Sequence, residues 1–388
     1  MKKYLIFFLI LLAQNLYAQN GAGDAPPGAV MESKTSDSKV NLFTGLPSIS
    51  VPIYQYKSNS GIGINVSVDY AGGGVQVDEG ASIVGLGWHL NFGGSVVRTV
   101  RGAPDDYPGI GYLNTGPIPS DFRNKSDSLY KCDLDPEQDI FQFNLPTASG
   151  RFYIGKDKKV IVVPYSKINI KVIYDGNGTI NTFKIRDEEG NKYEFTSRET
   201  MSFSSIYTKE LAHENCNMNR TYTVKWNLGY MISAFNTDTI SFSYNQKSFN
   251  YAFNLPQNAM VNDADTSQKT INYFDVSNTG NTQSSNIKTI FFPNKTQLKF
   301  LYEYPDQARI HSIQLWDTAF RMGYLFNYQD TVKEVQIIRN LPRNVSSVIK
   351  PLLVSVIPYT KLERSVGYSF EYYKYWLTPT GVKLNTQD

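Results

Sequence analysis

Apolar and polar residues alternate in short runs along most of the chain, and clusters of glycine, proline, asparagine and aspartate separate these runs. The alternation is clear in Ser48–Tyr54 and in Ile64–Tyr70. A period of two places successive side chains on opposite faces of a strand, so each run predicts a β-strand with one buried face. No stretch keeps a helical period long enough to join two parallel strands. The pattern predicts an all-β protein of antiparallel hairpins and meanders, stacked as sheets or sandwich-like layers, with few or no helices.

The predicted strands follow one another closely, with turn signals between them. They are Val40–Phe43, Ser48–Tyr54, Ile64–Tyr70, Trp88–Phe92, Ser95–Arg101, Ile140–Leu145, Arg151–Gly155, Val160–Pro164, Asn181–Arg186, Lys192–Thr196, Tyr222–Tyr230, Thr239–Tyr244, Thr289–Phe292, Gln297–Tyr302, Arg309–Trp316, Arg321–Tyr328, Leu352–Tyr359 and Ser365–Tyr373. One long interruption, Ala103–Lys131, contains four prolines and little periodicity. It predicts an excursion over the surface rather than a strand.

The composition supports the strand prediction. Aromatic residues make up 14% of the chain, mostly as 27 Tyr and 22 Phe, and such flat side chains pack well on a pleated sheet. A length of 388 residues favours about two domains. We divide the chain into a signal peptide (1–18), a flexible leader (19–38), a first β region (39–200) and a second β-rich region (201–388).

The first residues predict export. Lys2 and Lys3 precede the apolar run Tyr4–Leu12, and Ala18 is the small residue that signal peptidase needs. The run is too short to span a bilayer, so it predicts a cleaved signal peptide rather than an anchor. We expect cleavage after Ala18 and a mature chain without an integral membrane segment. Its location would be periplasmic, cell-surface or extracellular.

Charge excludes two classes of partner. Removal of the signal peptide leaves 36 basic and 35 acidic residues, a net charge of about +1. Nucleic-acid binding usually needs a concentrated basic face, and so does binding to anionic membranes. The near balance therefore argues against both. The two cysteines, Cys132 and Cys216, either pair in the exported chain or remain free thiols, and two cysteines do not make a disulfide scaffold.

No catalytic group is recognisable in the sequence. The three histidines, His89, His213 and His311, do not share metal-ligand spacing. No Gly-x-Ser-x-Gly motif occurs, and the run Gly72–Gly74 lacks the lysine and the following helix of a phosphate loop. We predict no catalytic residue, no cofactor and no metal ligand, and hence a protein that is not an enzyme.

Two acidic groups need separate interpretations. Asp133, Asp135, Glu137 and Asp139 alternate as calcium ligands do, but Gln138 stands where an EF-hand loop has its turn glycine. We interpret this group as a solvated turn that leads into the next strand.

The second acidic group, Asp187–Glu189, lies on a predicted hairpin turn with Gly190 and Asn191. Neighbouring carboxylates on one turn are poorly placed to flank a glycosidic bond. Tyrosine and tryptophan side chains also stack on sugars, so a secreted carbohydrate-binding or carbohydrate-active β protein is the alternative function. The simpler account is that these aromatic residues fill the sheet faces.

Four segments together suggest a family. Asn41–Gly45 and Ser50–Ile53 form a first hairpin, Gly80–Trp88 is a glycine–tryptophan stretch, and Gly94–Arg98 begins a strand that carries an arginine. This combination resembles the amino-terminal region of secreted Rhs/YD-repeat proteins and of the related B component of toxin complexes. The segments Asp139–Asn144 with Ser149–Phe152, and the hairpin Ile185–Phe195, are similar to later blocks of that family.

The resemblance implies a structural signature formed by Gly85, Gly87, Trp88, Gly94 and Arg98. It also implies a non-enzymatic structural or interaction module, the leading part of an Rhs/YD shell. Its partner would be another protein or the downstream repeat region, because tyrosine–aspartate repeats and a toxin segment are missing here. The chain is then either a truncated product or a stand-alone leading region.

Two structural expectations follow from the resemblance. Trp88 should be buried beside the tight turn of Gly85 and Gly87. The region from Pro351 onward should expose an unpaired sheet edge or an apolar patch, since strands normally find a neighbour.

Overall fold

The computed structural model describes residues 39–40, 47–70, 81–115, 135–207, 219–254, 258–261, 271–274, 276–303, 309–333, 348–371, 375–378 and 381–384. Every regular element within these residues is a β-strand, which confirms the all-β prediction. The predicted signal peptide and leader, the run Gly72–Gly74, Asp133, His213 and both cysteines lie outside the described residues. In the described part of the chain, no helix has the length and apolar character needed to cross a membrane.

Within the described residues, twenty-three strands follow one another in chain order. They are β1 (Lys39–Val40), β2 (Pro47–Lys57), β3 (Gly63–Tyr70), β4 (Trp88–Asn91), β5 (Ser95–Thr99), β6 (Ile140–Asn144), β7 (Ser149–Ile154), β8 (Val160–Val163), β9 (Asn169–Tyr174), β10 (Ile180–Arg186), β11 (Lys192–Tyr207), β12 (Asn219–Ile232), β13 (Thr239–Asn254), β14 (Asn258–Val261), β15 (Ile271–Phe274), β16 (Val276–Phe291), β17 (Gln297–Tyr302), β18 (Ile310–Trp316), β19 (Phe320–Lys333), β20 (Val348–Tyr359), β21 (Tyr368–Ser369), β22 (Tyr375–Thr378) and β23 (Gly381–Leu384).

Eight of these strands form a nearly closed ring. Antiparallel pairing runs in the order β8-β7-β6-β5-β12-β11-β10-β9. The two end strands, β8 and β9, are consecutive in the chain and lie close together, but no ladder joins them within the described residues. The arrangement is therefore a small up-and-down barrel with one open seam, which we call the strand ring.

Aromatic side chains fill the interior of the strand ring. Phe141 of β6 stacks on Phe152 of β7 with ring centroids 5.1 Å apart, and both contact Phe183 of β10. Trp226 of β12 meets Phe183 edge-on at 4.9 Å. All four are fully buried. Because contacts between β6 or β7 and β10 cross the ring rather than follow the ladder, they define a single packed core.

Most of the remaining strands form two facing layers beside the strand ring, while β14 with β15 and β22 with β23 form two separate two-stranded sheets. β12 changes neighbour along its length, because residues 225–227 pair with β5 and residues 230–232 pair with β13. From β13 the pairing continues through β16, β17, β18, β19 and β20 to β21. A four-stranded sheet of order β1-β2-β3-β4 covers this layer. Tyr54 and Tyr56 of β2, for example, contact Phe292 with centroids 5.3 and 4.6 Å apart.

The strand predictions differ from the structure in three respects. β9, β14, β15, β22 and β23 were not predicted, although the alternating apolar residues of β9 carry the signal. The strands β11, β12, β13 and β16 extend beyond their predicted bounds into polar sequence, because they pair with one another there. The predicted strand Ser365–Tyr373 is wrong over most of its described length: only Tyr368 and Ser369 pair, with β20. The domain division at residue 200 stays a prediction, and β11 runs through it.

Candidate functional site

The predicted glycine–tryptophan element is a compact turn that packs on β20. Gly85 and Gly87 have φ angles of +104° and +74°, which side chains with a Cβ resist. A Cβ on Gly85 would also lie 3.1 Å from the nitrogen of Leu353. The amide of Leu86 donates to the carbonyl of Pro351 at 2.9 Å. The turn thus satisfies a carbonyl on the outer edge of the large sheet.

Trp88 anchors this turn in the core. Its side chain is 1% exposed, as predicted, and its ring lies 4.4 Å from that of Phe370 and 5.2 Å from that of Tyr70. The hydroxyl of Ser82 donates to the carbonyl of Trp88 at 2.6 Å, which ties the two ends of the turn together.

Gly94 lies where three strands meet. A Cβ at this position would lie 2.6 Å from the carbonyl oxygen of Asn144, closer than real contacts allow. The carbonyl of Gly94 accepts a hydrogen bond from the amide of Leu228 at 3.1 Å. Glycine therefore permits β5 to lie between β6 and β12 and so to connect the strand ring.

Arg98, the last residue of the predicted signature, is a buried cation inside one end of the strand ring. Its side chain is completely buried, and its guanidinium lies over the ring of Phe141 at 5.4 Å. The Nε atom donates to Asp139 at 2.6 Å, and the Nη2 atom donates to Asp106 at 2.7 Å. Charge-assisted bonds of this length compensate part of the cost of burying the guanidinium.

The carboxylates around Arg98 also bind backbone amides. Asp139 accepts from the amides of Asp105 and Arg101, both at 2.8 Å, and its own amide donates to Asp105 at 3.0 Å. Asp135 accepts from the amide of Ala103 at 2.9 Å. These reciprocal bonds fix residues 101–106 against residues 135–139. The interpretation of this acidic group as a solvated turn is therefore wrong for Asp135 and Asp139, which are 3% and 0% exposed.

The same segment closes one end of the strand ring. Asp106 accepts from the amide of Ile180 at 2.6 Å, which attaches the segment to the start of β10. Further along, the ammonium of Lys156 donates to the carbonyl of Thr115 at 3.1 Å. Residues 101–115, which we call the plug, thus contact the ends of several ring strands. The predicted surface excursion is instead, in its described part, a cap over a polar interior.

Burial shifts the pKa of three carboxyl groups in this interior, those of Asp105, Asp135 and Asp139. Burial raises the pKa of Asp105 to about 8, and the nearby charge of Asp139 adds to the effect. Burial also raises the pKa of Asp139 and of Asp135. Burial by itself would lower the pKa of Arg98, but Asp106 and Asp139 together raise it. The cluster therefore holds a cationic arginine and, near neutral pH, a protonated Asp105.

Other residues singled out in the sequence do not form a site in the described part of the chain. His89 and His311 are exposed on different strands, and no group of three metal-ligating side chains occurs among the described residues. Asp187 is buried on the β10–β11 turn, where its carboxylate accepts from the hydroxyl of Tyr193 at 2.9 Å and from the amide of Asn191 at 2.9 Å. Gly190 in this turn has a φ of +89°, in the left-handed region that favours glycine.

The end of the strand ring opposite the plug carries a cleft of about 270 Å³. The β6–β7 turn, the β8–β9 connection and the β10–β11 turn surround it. Its lining combines apolar residues such as Phe143 and Ile168 with the acidic turn 187–189.

Sequence reasoning found Arg98 but missed Asp105 and Asp106. Their only local signal is the sequence Pro104-Asp105-Asp106, two acidic residues within an irregular segment. Nothing in that segment indicates that the chain returns to the same end of the strand ring.

The outer end of the large sheet differs from the expected open edge. Its strand β20 has three carbonyls occupied by its own chain, because Pro351, Val354 and Pro358 accept from Leu86, Phe370 and Ser365 at 2.8–2.9 Å. The segment 361–369 beyond β20 is exposed at every position. Apolar side chains are therefore uncovered in the predicted region, with Leu362 93% and Val366 90% exposed.

Comparison with known proteins gives distant structural neighbours. No family model matches the sequence, and no curated protein matches it. A crystal structure of TcdB2-TccC3-TEV is similar over 86% of this chain, with a TM-score of 0.39 and 11% identity, but the match spans only 16% of that chain. The N-terminal domain of effector protein SpvB from Salmonella typhimurium is similar over 88% of this chain and 98% of its own length, with a TM-score of 0.29 and 13% identity.

Proposed function

We propose that the mature chain is an exported, non-enzymatic structural module that binds a protein partner, as the leading part of an Rhs/YD-repeat shell would. The supporting observation is the exposure of the outer segment 361–369. Leu362 and Val366 are more than nine-tenths exposed, and Tyr368 is 44% exposed. Apolar side chains in such a position contribute little to the core of their own chain, and clustered exposed apolar groups are typical of interaction surfaces.

The partner would pack on the exposed segment rather than add a strand to β20. Three carbonyls of β20 already accept hydrogen bonds from the same chain, and β21 pairs with Ser355 and Val356. A further strand would have to displace these bonds. Packing on Leu362 and Val366 displaces none of them, and the flanking Lys361, Glu363 and Arg364 supply a polar rim.

Sedimentation velocity of the purified chain at micromolar concentration tests the proposed surface. Without its partner, the chain should self-associate reversibly through this segment. A Leu362→Asp/Val366→Asp double variant should remain monomeric because two charges replace the exposed apolar groups. The matched control is Phe235→Asp, which places the same charge at an 85% exposed aromatic residue on a distant turn and should leave association unchanged.

Two outcomes would contradict the proposal. A strictly monomeric wild-type chain would mean that the exposed segment does not act as a docking surface. Equal self-association of the wild type, the double variant and the Phe235→Asp control would place the self-association contact outside this segment. Export is tested separately by intact-mass measurement of the protein from its native host. We expect a mature chain that starts at Gln19, since Ala18 is the predicted cleavage site.

A further inference from the structure

Three buried polar atoms at the plugged end of the strand ring have no hydrogen-bond partner among the described residues. They are Nη1 of Arg98, Oδ2 of Asp105 and the phenol oxygen of Tyr174. Arg98 and Asp105 are 4% and 0% exposed. Buried polar groups are nearly always satisfied, and each unsatisfied one costs free energy. Three such atoms in one place require a common explanation.

The three side chains belong to one connected cluster. Arg98 and the amide of Asp105 donate to the same oxygen of Asp139, at 2.6 and 2.8 Å. Arg98 also donates to Asp106, whose other oxygen accepts from Ile180. Ile180 is the ladder partner of Tyr174 on β9. Arg98 therefore connects to Asp105 through one shared acceptor and to the strand position of Tyr174 through Asp106.

The electrostatics of Tyr174 agree with this placement. The pKa of Tyr174 is raised to about 12, mainly by burial, with the charges of Asp106 and Asp105 adding to the shift and that of Arg98 opposing it. A phenol that responds to all three charges lies close to them, because such interactions decline with distance.

We propose that an internal water molecule is bound between Arg98, Asp105 and Tyr174. The three unpaired atoms comprise an obligatory donor, a carboxyl oxygen and a hydroxyl that both donates and accepts. The guanidinium repels a cation, and the surrounding carboxylates repel an anion. A neutral molecule with two donors and two acceptors fits all three atoms, and buried waters typically make about three such bonds.

The hydrogen bonds of this site balance. The water oxygen accepts from Nη1 of Arg98 and from the protonated carboxyl of Asp105, and one water hydrogen is donated to the phenol oxygen of Tyr174. The water thereby links the plug to β5 and β9 and supplies the protonated Asp105 with an acceptor. It is part of the structure that closes this end of the strand ring.

A double-mutant cycle in urea unfolding tests the shared water in solution. Asp105→Ala and Tyr174→Phe remove two of its ligands, and the two side chains share no direct hydrogen bond. We expect the two substitutions to be coupled. Together they should raise the unfolding equilibrium constant by a factor about tenfold smaller than the product of the two factors measured for the single variants. Asp105→Ala also removes the hydrogen bond from the amide of Asp139. This loss occurs in the wild-type background and in the Tyr174→Phe background alike, so it cancels from the coupling energy.

The control cycle pairs Asp105→Ala with Tyr193→Phe. Tyr193 is buried at the opposite end of the strand ring, on the β10–β11 turn side, and its hydroxyl donates to Asp187. This pair should be additive within about twofold. Additivity of the Asp105–Tyr174 pair to the same degree would overturn the proposal.

A crystal structure at a resolution that shows ordered water decides the matter directly, also if Asp105→Ala does not fold. A water peak within hydrogen-bond distance of Nη1 of Arg98, Oδ2 of Asp105 and the Tyr174 oxygen would support the proposal. A direct bond between Arg98 and Oδ2 of Asp105, an empty cavity, or a metal ion at this position would overturn it.

Discussion

Replacement of Asp105 by asparagine should remove much of the pH dependence of stability between pH 5 and pH 7. In the native protein, burial raises the pKa of Asp105 from 3.8 to about 8. The native state therefore binds a proton in this range that the unfolded state has already released. Asparagine keeps the oxygen that accepts from the amide of Asp139 and has no proton to lose.

The sign and size follow from proton linkage. A raised native pKa gives stability that is complete below the unfolded pKa and is lost as the pH rises toward the native pKa. Between these limits the loss is about 1.4 kcal/mol per pH unit. From pH 5 to pH 7, the wild type should therefore lose about 3 kcal/mol that the Asp105→Asn variant does not lose. Residue 105 is uncharged in both proteins over this range, so the contribution of Asp139 to the pH dependence of stability should be nearly the same in the wild type and in the variant.

Urea unfolding at pH 5, 6 and 7 measures this difference, with the fluorescence of the buried Trp88 and Trp226 as the signal. The matched control is Asp157→Asn. Asp157 is exposed, and its pKa is lowered by a hydrogen bond from Lys159, so it stays ionised throughout this range. Its variant should follow the wild-type slope. Equal slopes for the wild type and Asp105→Asn would show that Asp105 is already ionised in the native state.

Three further substitutions test the packing that surrounds the site. Trp88→Ala should cost about 3–5 kcal/mol, because it removes a buried ring next to Phe370, and an unchanged denaturation midpoint would exclude Trp88 from the core. Arg98→Met should cost about 3–5 kcal/mol of stability, because it leaves carboxylates buried without their cation. The control Arg321→Ala breaks an exposed ion pair and should cost about 1 kcal/mol or less. Similar losses of stability for the two variants in chemical denaturation would refute the buried pairing. Gly94→Ala should destabilise the protein, although the backbone entropy of glycine by itself would favour alanine by about 0.5–1 kcal/mol, because the added Cβ meets the carbonyl of Asn144; a neutral or stabilising result in thermal melting would contradict that contact.

The period-two pattern predicted most strand positions because each buried face depends on residues close in sequence. Ile64, Val66 and Val68 of β3 are all buried, as their alternation predicts. The period-two pattern did not predict the strand ends where pairing between long strands determines how far each strand extends. Polar positions such as Thr200 of β11 continue the strand because they pair with Gln283 of β16.

The candidate site was predictable only in part. Gly85, Gly87 and Trp88 form a local turn, and a glycine-rich sequence next to an aromatic residue predicts such a turn directly. Arg98 was singled out by resemblance, but its partners come from two irregular segments separated by residues outside the described structure. Which carboxylates meet Arg98 depends on the path of the whole chain. No local pattern contains that information.

The contact between the glycine–tryptophan turn and β20 has a consequence for how this chain folds. Leu86 donates to Pro351, and β5 pairs with β12, so early segments complete their hydrogen bonds only with segments made much later. Such a fold has a high contact order, and proteins dominated by distant strand pairs fold slowly. The sheet β1–β4 cannot complete its packing until β20 has been synthesised, and until then apolar faces such as that of β3 stay uncovered. A chain of this kind is exposed to aggregation for longer than one whose contacts are local, because its apolar strand faces stay uncovered until the distant strands pair.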